Sequence, residues 1–156
     1  FCIPVNVIGK LRQLGCPFKH GRPDHKGWIN LRVPVFAPMK MAEAFVDHLA
    51  SAEQGKLVTI SSNMGSIGLN DSGGSYGYRS SKAAVNCVMR SLSLDLAEKG
   101  IIVALLHPGW VSTDMGGPDA DITPQVSVSG MRRVIGSLQP EQSGCFKSYQ
   151  GKSLPW

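Results

Sequence analysis

LVTISSNMGSIGLNDSGGSYGYRSSK, residues 57–82, holds the junction on which the fold turns. Its first residues, Leu57-Val58-Thr59-Ile60, form an apolar run without polar alternation, as expected of a strand covered on both faces. From Ser61 to about Gly77 the chain is rich in Gly, Ser, Asn and Asp and reads as a loop. A helical period begins near Tyr76, with Val85, Val88, Met89, Leu92 and Leu96 on one face, and runs to Lys99 before Gly100 ends it. Strand, glycine-rich loop and helix in that order make one unit of a parallel sheet.

Working outward, the same alternation continues on both sides. Upstream, Pro38 suits the first turn of a helix that turns Met39, Met41, Ala42, Phe45, Val46 and Leu49 toward a core, and Gly55 closes it. Downstream, Ile101 to Leu106 is a second apolar strand, broken by His107-Pro108-Gly109. Thr123-Pro124 starts a helix that runs through Leu138, and a last strand spans Cys145 to Tyr149. The fold class predicted is α/β, a doubly wound, Rossmann-like parallel sheet. Residues 8–30 show no clear period and read as loop.

The chain has 156 residues, enough for one domain with a real core. Apolar content of 42% with 17% charged residues is that of a soluble globular protein rather than a disordered one. No apolar run approaches the length of a membrane span, and no leader pattern opens the chain, so no membrane partner is expected. It begins at Phe1 rather than Met, which raises the expectation of a fragment. Cys2, Cys16, Cys87 and Cys145 are scattered without a C-x-x-C pair, which fits a reduced, cytoplasmic protein better than a disulfide scaffold. The Asn70-Asp71-Ser72 sequon is read as incidental.

The net charge of +5 is unevenly placed. Residues 1–32 carry six Lys/Arg against one acid, and residues 33–156 carry ten of each sign. A basic arm for nucleic acid would need aromatic interleaving or a recognition-helix pattern, and neither accompanies the charge, so a divergent, solvated segment is the preferred reading.

Tyr78-Arg79-Ser80-Ser81-Lys82 sets a phenol and an ammonium one above the other on a helix face. A phenol titrates at roughly 10 and exchanges protons poorly near neutrality, but a nearby cation stabilises the phenolate and makes the group a usable acid or base. Alone, the four-residue spacing is common and fits a surface pair. Here it opens a helix after a glycine-rich loop, at the carboxyl end of a strand, where open α/β sheets bind their ligands.

V-T-I-S-S, Y-x-x-S-K and H-P-G-W-V-x-T-D-M occur in that order. With Gly65-Ser66-Ile67-Gly68, Gly73-Gly74-Ser75-Tyr76 and the ending Leu154-Pro155-Trp156, they resemble the short-chain dehydrogenase/reductase family, in its C-factor and sniffer-like carbonyl reductase branch. The resemblance covers about residues 28–156. It implies an NAD(P)-dependent oxidoreductase that transfers hydride between NAD or NADP and a small-molecule carbonyl or alcohol substrate. It implies that Ser62 polarises the carbonyl, Tyr78 donates the proton, and Lys82 lowers the phenol's pKa and holds the nicotinamide ribose. Ser61 and Ser66 remain alternatives for the serine. Pro108, Gly109, Val111 and Thr113 would border the nicotinamide, with Val111 and Thr113 at its carboxamide. A homodimer or homotetramer packed through the Tyr-bearing helix and the one before it is also implied.

The sequence departs from that family in three places. No G-x-x-x-G-x-G or G-x-G-x-x-G turn is present to bring backbone N–H groups to a pyrophosphate, so the first strands are expected to be absent and cofactor binding impaired. The family's N-N-A-G stretch corresponds to Ile3-Pro4-Val5-Asn6-Val7-Ile8-Gly9, which retains little of it. Pro34 stands where the resemblance implies an Asn that completes a proton relay, and proline has no amide to hold a relay water. Either the relay is lost or the N-terminal third is rearranged. The domain expectation is one incomplete Rossmann-like domain over residues 1–156, with a divergent basic segment at 1–32 and the catalytic half at 33–156.

Other signals are weaker. Cys16, His20 and His25 lack a recognised zinc spacing, so no metal site is expected. Gly151-Lys152-Ser153 has Phe146 where a phosphate loop needs its earlier glycine. His107 is expected to be a hydrogen-bonded structural histidine, and Trp110 either lines a substrate pocket or packs. Two rivals to the enzyme stand: a non-catalytic truncated remnant serving as a dimerisation module, and a basic binding module on residues 1–32.

Overall fold

The structure, a computed structural model, describes residues 35–156. The basic segment 1–32, Asn6, Pro34, Cys16, His20 and His25 lie outside the described residues. The elements are helix α1 (Ala37–Ala50), strand β1 (Lys56–Ile60), helix α2 (Tyr76–Asp95), strand β2 (Ile102–His107), helix α3 (Pro124–Ser137) and strand β3 (Cys145–Ser148). The sheet order is β1-β2-β3, and both pairs are parallel.

The alternating side chains of β2 divide the core in two. Val103 and Leu105 pack with Val85, Met89 and Leu96 of the α2 segment and with Val46 and Leu49 of α1. Ile102 and Ala104 face the other way, onto Leu138 at the end of α3. The sheet is thus doubly wound, as the alternation of elements predicts. Because both crossovers step in the same direction but over opposite faces, they have opposite hands, and one departs from the usual right-handed sense.

Burial differs from expectation at two elements. Strand β1, expected to be covered on both faces, is only half-buried and leaves Ile60 exposed. Among the described residues it is an edge strand, whereas β2 has neighbours on both sides and is buried through Leu106. Of the six α1 residues expected in the core, only Ala42 is buried, and Met41 and Phe45 are 54% and 47% exposed. Only one side of α1 meets β1 and α2, so the apolar stripe is wider than the contact.

The ends of the elements follow local chemistry. Thr123 caps α3 by accepting from the Val126 N–H, with Pro124 in the first turn, as the sequence predicts. The helix expected to reach Lys99 ends at Asp95, and a tighter turn over Ala97–Lys99 finishes it. Before α2, Gly73 and Gly74 take φ +65° and +68°, and Ser75 follows them at φ +47°. The left-handed Ser75 costs about 1 kcal/mol, set against a chain reversal that delivers Tyr76 straight into the helix.

Candidate active site

Ile60 pairs with Leu106 in the parallel register, so the chain leaves β1 and β2 at the same edge of the sheet. Ser61-Ser62 and Pro108-Gly109 therefore emerge side by side, and the first turns of α2 stand next to them. Lys82 reaches back from the helix, and its Nζ donates to the Ile60 carbonyl at 3.4 Å. The same nitrogen lies 5.8 Å from the centroid of the Tyr78 ring. Tyr78 and Lys82 thus share one face, at the mouth of the sheet edge, and the Tyr78 ring is partly open to solvent. Burial pushes the Lys82 pKa below its ordinary value.

The three candidate serines have different partners. Ser61 is 2% exposed and donates from Oγ to Asn86 Oδ1 at 2.5 Å. Ser66, also fully buried, accepts the Leu69 N–H at 3.2 Å. Ser62 starts a short turn over Asn63–Gly65, where its Oγ accepts the Met64 N–H at 3.2 Å. The Ser62 hydroxyl also donates to Asn63 Oδ1, but that bond is long, 3.4 Å, and its acceptor is on an exposed residue. Ser62 is thus the candidate serine whose hydroxyl proton is held by a long bond to an exposed acceptor.

Past β2 the chain makes a loop tied mainly to itself. Gly109 has φ +87°, and a Cβ there would meet Ile122 Cδ1 at 2.7 Å and Tyr149 Cε1 at 3.0 Å, so the Pro-Gly turn requires glycine. Val111 bridges Ile122 in parallel fashion, through Ser112 N to Ile122 O at 2.8 Å and Ile122 N to Trp110 O at 3.2 Å. In such a bridge the central residue's own N–H points away from its partner, so that of Val111 turns from Ile122 and is available to a ligand. Thr113 Oγ1 accepts the Gly116 N–H at 3.2 Å, and Trp110 Nε1 donates to Gly116 O at 2.8 Å. Ser112, Thr113, Asp114, Gly117 and Pro118 line a shallow cleft of about 410 Å³. Trp110 combines the two sequence-based options, with its indole nitrogen bonded inside the loop while half its surface stays exposed.

One expectation fails here and one residue was overlooked. His107, expected to be hydrogen-bonded, has a buried Nδ1 without a partner among the described residues, and burial lowers its pKa. Its backbone is engaged, with the Tyr149 N–H donating to the His107 carbonyl at 2.8 Å. Ser127 went unnoticed in the sequence, yet it is buried in α3 and donates to the Pro108 carbonyl at 2.6 Å, pinning the turn. A small polar residue four positions after the Thr123 cap was the signal. Among the described residues no cluster of His, Cys, Asp and Glu could hold a metal, and no helix is long and apolar enough to cross a membrane.

A nicotinamide cofactor fits this edge in part. The half-buried Lys82 ammonium, the Tyr78 phenol, the side-chain-free Gly109 and the outward Val111 N–H suit a ribose and a carboxamide.

Known proteins are similar to this arrangement. The profile of the family described as short chain dehydrogenase matches residues 24–122. C-signal of Myxococcus xanthus is 46% identical over 124 residues, which are 80% of this chain and 75% of that protein. Among solved structures, the carbonyl reductase Sniffer of D. melanogaster superposes with a TM-score of 0.81 at 28% identity, over 97% of this chain and 72% of that one. An NADPH-bound carbonyl reductase from chicken fatty liver gives 0.77 at 36% identity, over 84% of this chain but only 57% of that one. The chain thus spans between a little over half and three quarters of the length of these proteins.

Proposed function

The chain belongs to the short chain dehydrogenase family, and from that membership we propose that its sheet edge is a site for hydride transfer between NAD or NADP and a small carbonyl or alcohol substrate. The observation that carries the reading is the pairing of Tyr78 with Lys82 on the first turns of α2, beside the end of β1. In this reading residues 33–156 are the catalytic half of one domain.

In the reductive direction, Ser62 Oγ and the Tyr78 hydroxyl hold the substrate's carbonyl oxygen. Tyr78 passes its proton to that oxygen as negative charge develops there, and the Lys82 ammonium stabilises the phenolate left behind. When bound, the reduced nicotinamide supplies the hydride to the carbonyl carbon. The Lys82 ammonium would also donate to the ribose, and the Val111 N–H and Thr113 would hold the carboxamide beside Pro108 and Gly109. The hydroxyl proton of the alcohol would come from Tyr78.

Affinity is a separate matter. The sequence has no glycine-rich turn to hold a pyrophosphate. Loss of several charge-assisted hydrogen bonds, each worth about 1.5–3 kcal/mol, moves a micromolar site beyond the millimolar range. Titration of NADH and NADPH against tryptophan fluorescence, checked by calorimetry, is expected to show weak binding, and carbonyl reduction at high cofactor concentration is expected to be slow. That activity should fall by about 10²- to 10⁴-fold in Tyr78→Phe. Turnover that survives Tyr78→Phe would overturn the assignment.

A second reading, a non-catalytic module that self-associates through α1 and α2, has one observation in its favour. Phe36, Met41 and Phe45, at and along α1, and Leu94 on α2 are exposed. Sedimentation of the chain with and without Phe45→Asp distinguishes it, since a dimer built on that face dissociates in the variant.

A further inference from the structure

We infer that Asn86 is a positioning residue of this site: through Ser61 it holds the turn bearing Ser62 in register with Tyr78 and Lys82. The inference rests on the oxidoreductase reading above. Tyr78, Lys82 and Asn86 follow one another at four-residue intervals along α2, so the helix that carries the proton donor and its cation also carries this amide. Asn86 is 3% exposed, and its Oδ1 accepts the Ser61 hydroxyl across 25 residues of chain. Ser61 is the direct neighbour of Ser62.

The turn touches the helix again one helical turn earlier. A Cβ on Gly65 would lie 2.8 Å from both the carbonyl carbon and Cβ of Lys82, so the turn rests on the backbone of the catalytic lysine. The backbone shares in the holding, since the Ser61 N–H donates to the Leu106 carbonyl of β2 at 2.8 Å. Gly65 and Asn86 both line a cavity of about 320 Å³ that also reaches Cys87 and Trp156. With space on that side of Gly65, the Ser61–Asn86 hydrogen bond is a side-chain tie from the residue next to Ser62 to the helix that carries Tyr78. An apolar side chain here would leave the buried Ser61 hydroxyl without its acceptor, and the amide serves that role although its own Nδ2 is buried without a partner among the described residues.

Amide hydrogen exchange on the full chain tests this directly. The Met64 N–H bonds Ser62 Oγ and the Gly65 N–H bonds Ser62 O, so both report on the turn. In Asn86→Ala their exchange is expected to quicken by about tenfold or more, while the Val103 and Leu105 amides of β2 stay within about twofold. Ser61→Ala removes a single oxygen from the other side of the same bond. It should reproduce the effect, and the double variant should add nothing to it. At high NADPH either change is expected to lower kcat by about ten- to a hundredfold with KM for NADPH little altered, and to cost nothing further once Ser62→Ala is in place. Unchanged exchange at Met64 and Gly65, an equal rise in β2, or losses that multiply with Ser62→Ala would each overturn the inference. If the wild-type chain shows no Tyr78-dependent turnover, the oxidoreductase reading fails, and exchange alone decides the role of Asn86.

Discussion

The two loops that leave the carboxyl edge of the sheet are built in different ways. The loop after β1 adds attachments from outside along its length to hydrogen bonds of its own. Asn86 of α2 takes the Ser61 hydroxyl, the Trp156 carbonyl takes the Gly68 N–H at 2.9 Å, and Gly65 rests on Lys82. The loop after β2 is held mainly by its own members, through the Val111–Ile122 bridge and the bonds that Thr113 and Trp110 make to Gly116. Outside attachments reach it only at its base, where Ser127 holds the Pro108 carbonyl and Gly109 lies against Tyr149. Its tip carries Met115, 88% exposed.

Under the proposed function, the difference matches what each loop would have to do. A proton donor and a hydroxyl that share one substrate oxygen must keep their separation, since a misplacement of about 1 Å can cost a hundredfold in rate. The first loop gains that constancy by attachment to the helix that carries Tyr78. A segment that would admit a flat ring and a substrate needs a fixed base and an exposed tip, and the second loop has both.

Breaking the base of the second loop should have the largest effect on stability. Gly109→Ala forces a left-handed φ on alanine and drives its Cβ into Ile122 and Tyr149. The expected loss is about 2–3 kcal/mol in urea unfolding. Retention of stability within about 0.5 kcal/mol would mean that the Pro-Gly turn is not the rigid base described here.

Ser127→Ala ranks next. It removes a buried hydroxyl and leaves the Pro108 carbonyl without that partner, at an expected cost of about 1–2 kcal/mol. Exchange at residues 110–117 should quicken while the Met64 amide stays as it was, which keeps the two loops separable. If both quicken together, the loops are one unit and the contrast fails.

His107, at the root of the second loop, gives the comparison a pH axis. Burial lowers its pKa from 6.5 in the folded chain. As pH falls below that value, the unfolded chain takes up a proton that the folded chain resists, so stability drops toward acid and is restored above it. Urea midpoints at about pH 7 and about pH 5 should therefore differ less in His107→Gln than in the wild type. Equal acid losses in the two proteins would remove His107 as the cause.

The smallest effect belongs to the tip. Met115→Ala should leave stability within about 0.5 kcal/mol and change substrate KM more than kcat. A stability loss like that of Ser127→Ala would show that the tip is packed after all.

Much of this molecule was legible from local pattern. The three helices and three strands lie within a few residues of their expected places, because hydrophobic period, Pro124 with its Thr123 cap, and Gly100 act over one or two turns of chain. Tyr78 and Lys82 were bound to share a face once their segment was helical, since four residues nearly complete a turn. The fold class followed from the alternation of these elements.

Only tertiary packing decided the rest. Local pattern does not separate the three serines within six residues, of which the resemblance singled out Ser62, and their partners differ: Asn86 on a helix for Ser61, the backbone of their own loop for Ser62 and Ser66. Apolar composition could not tell that β1 lies at an edge with Ile60 exposed, or that α1 is wider in its apolar stripe than its contact with the sheet. The hold of Ser127 on Pro108 spans 19 residues and that of Asn86 on Ser61 spans 25. Such bonds depend on where strands and helices meet in space, and no local period encodes that.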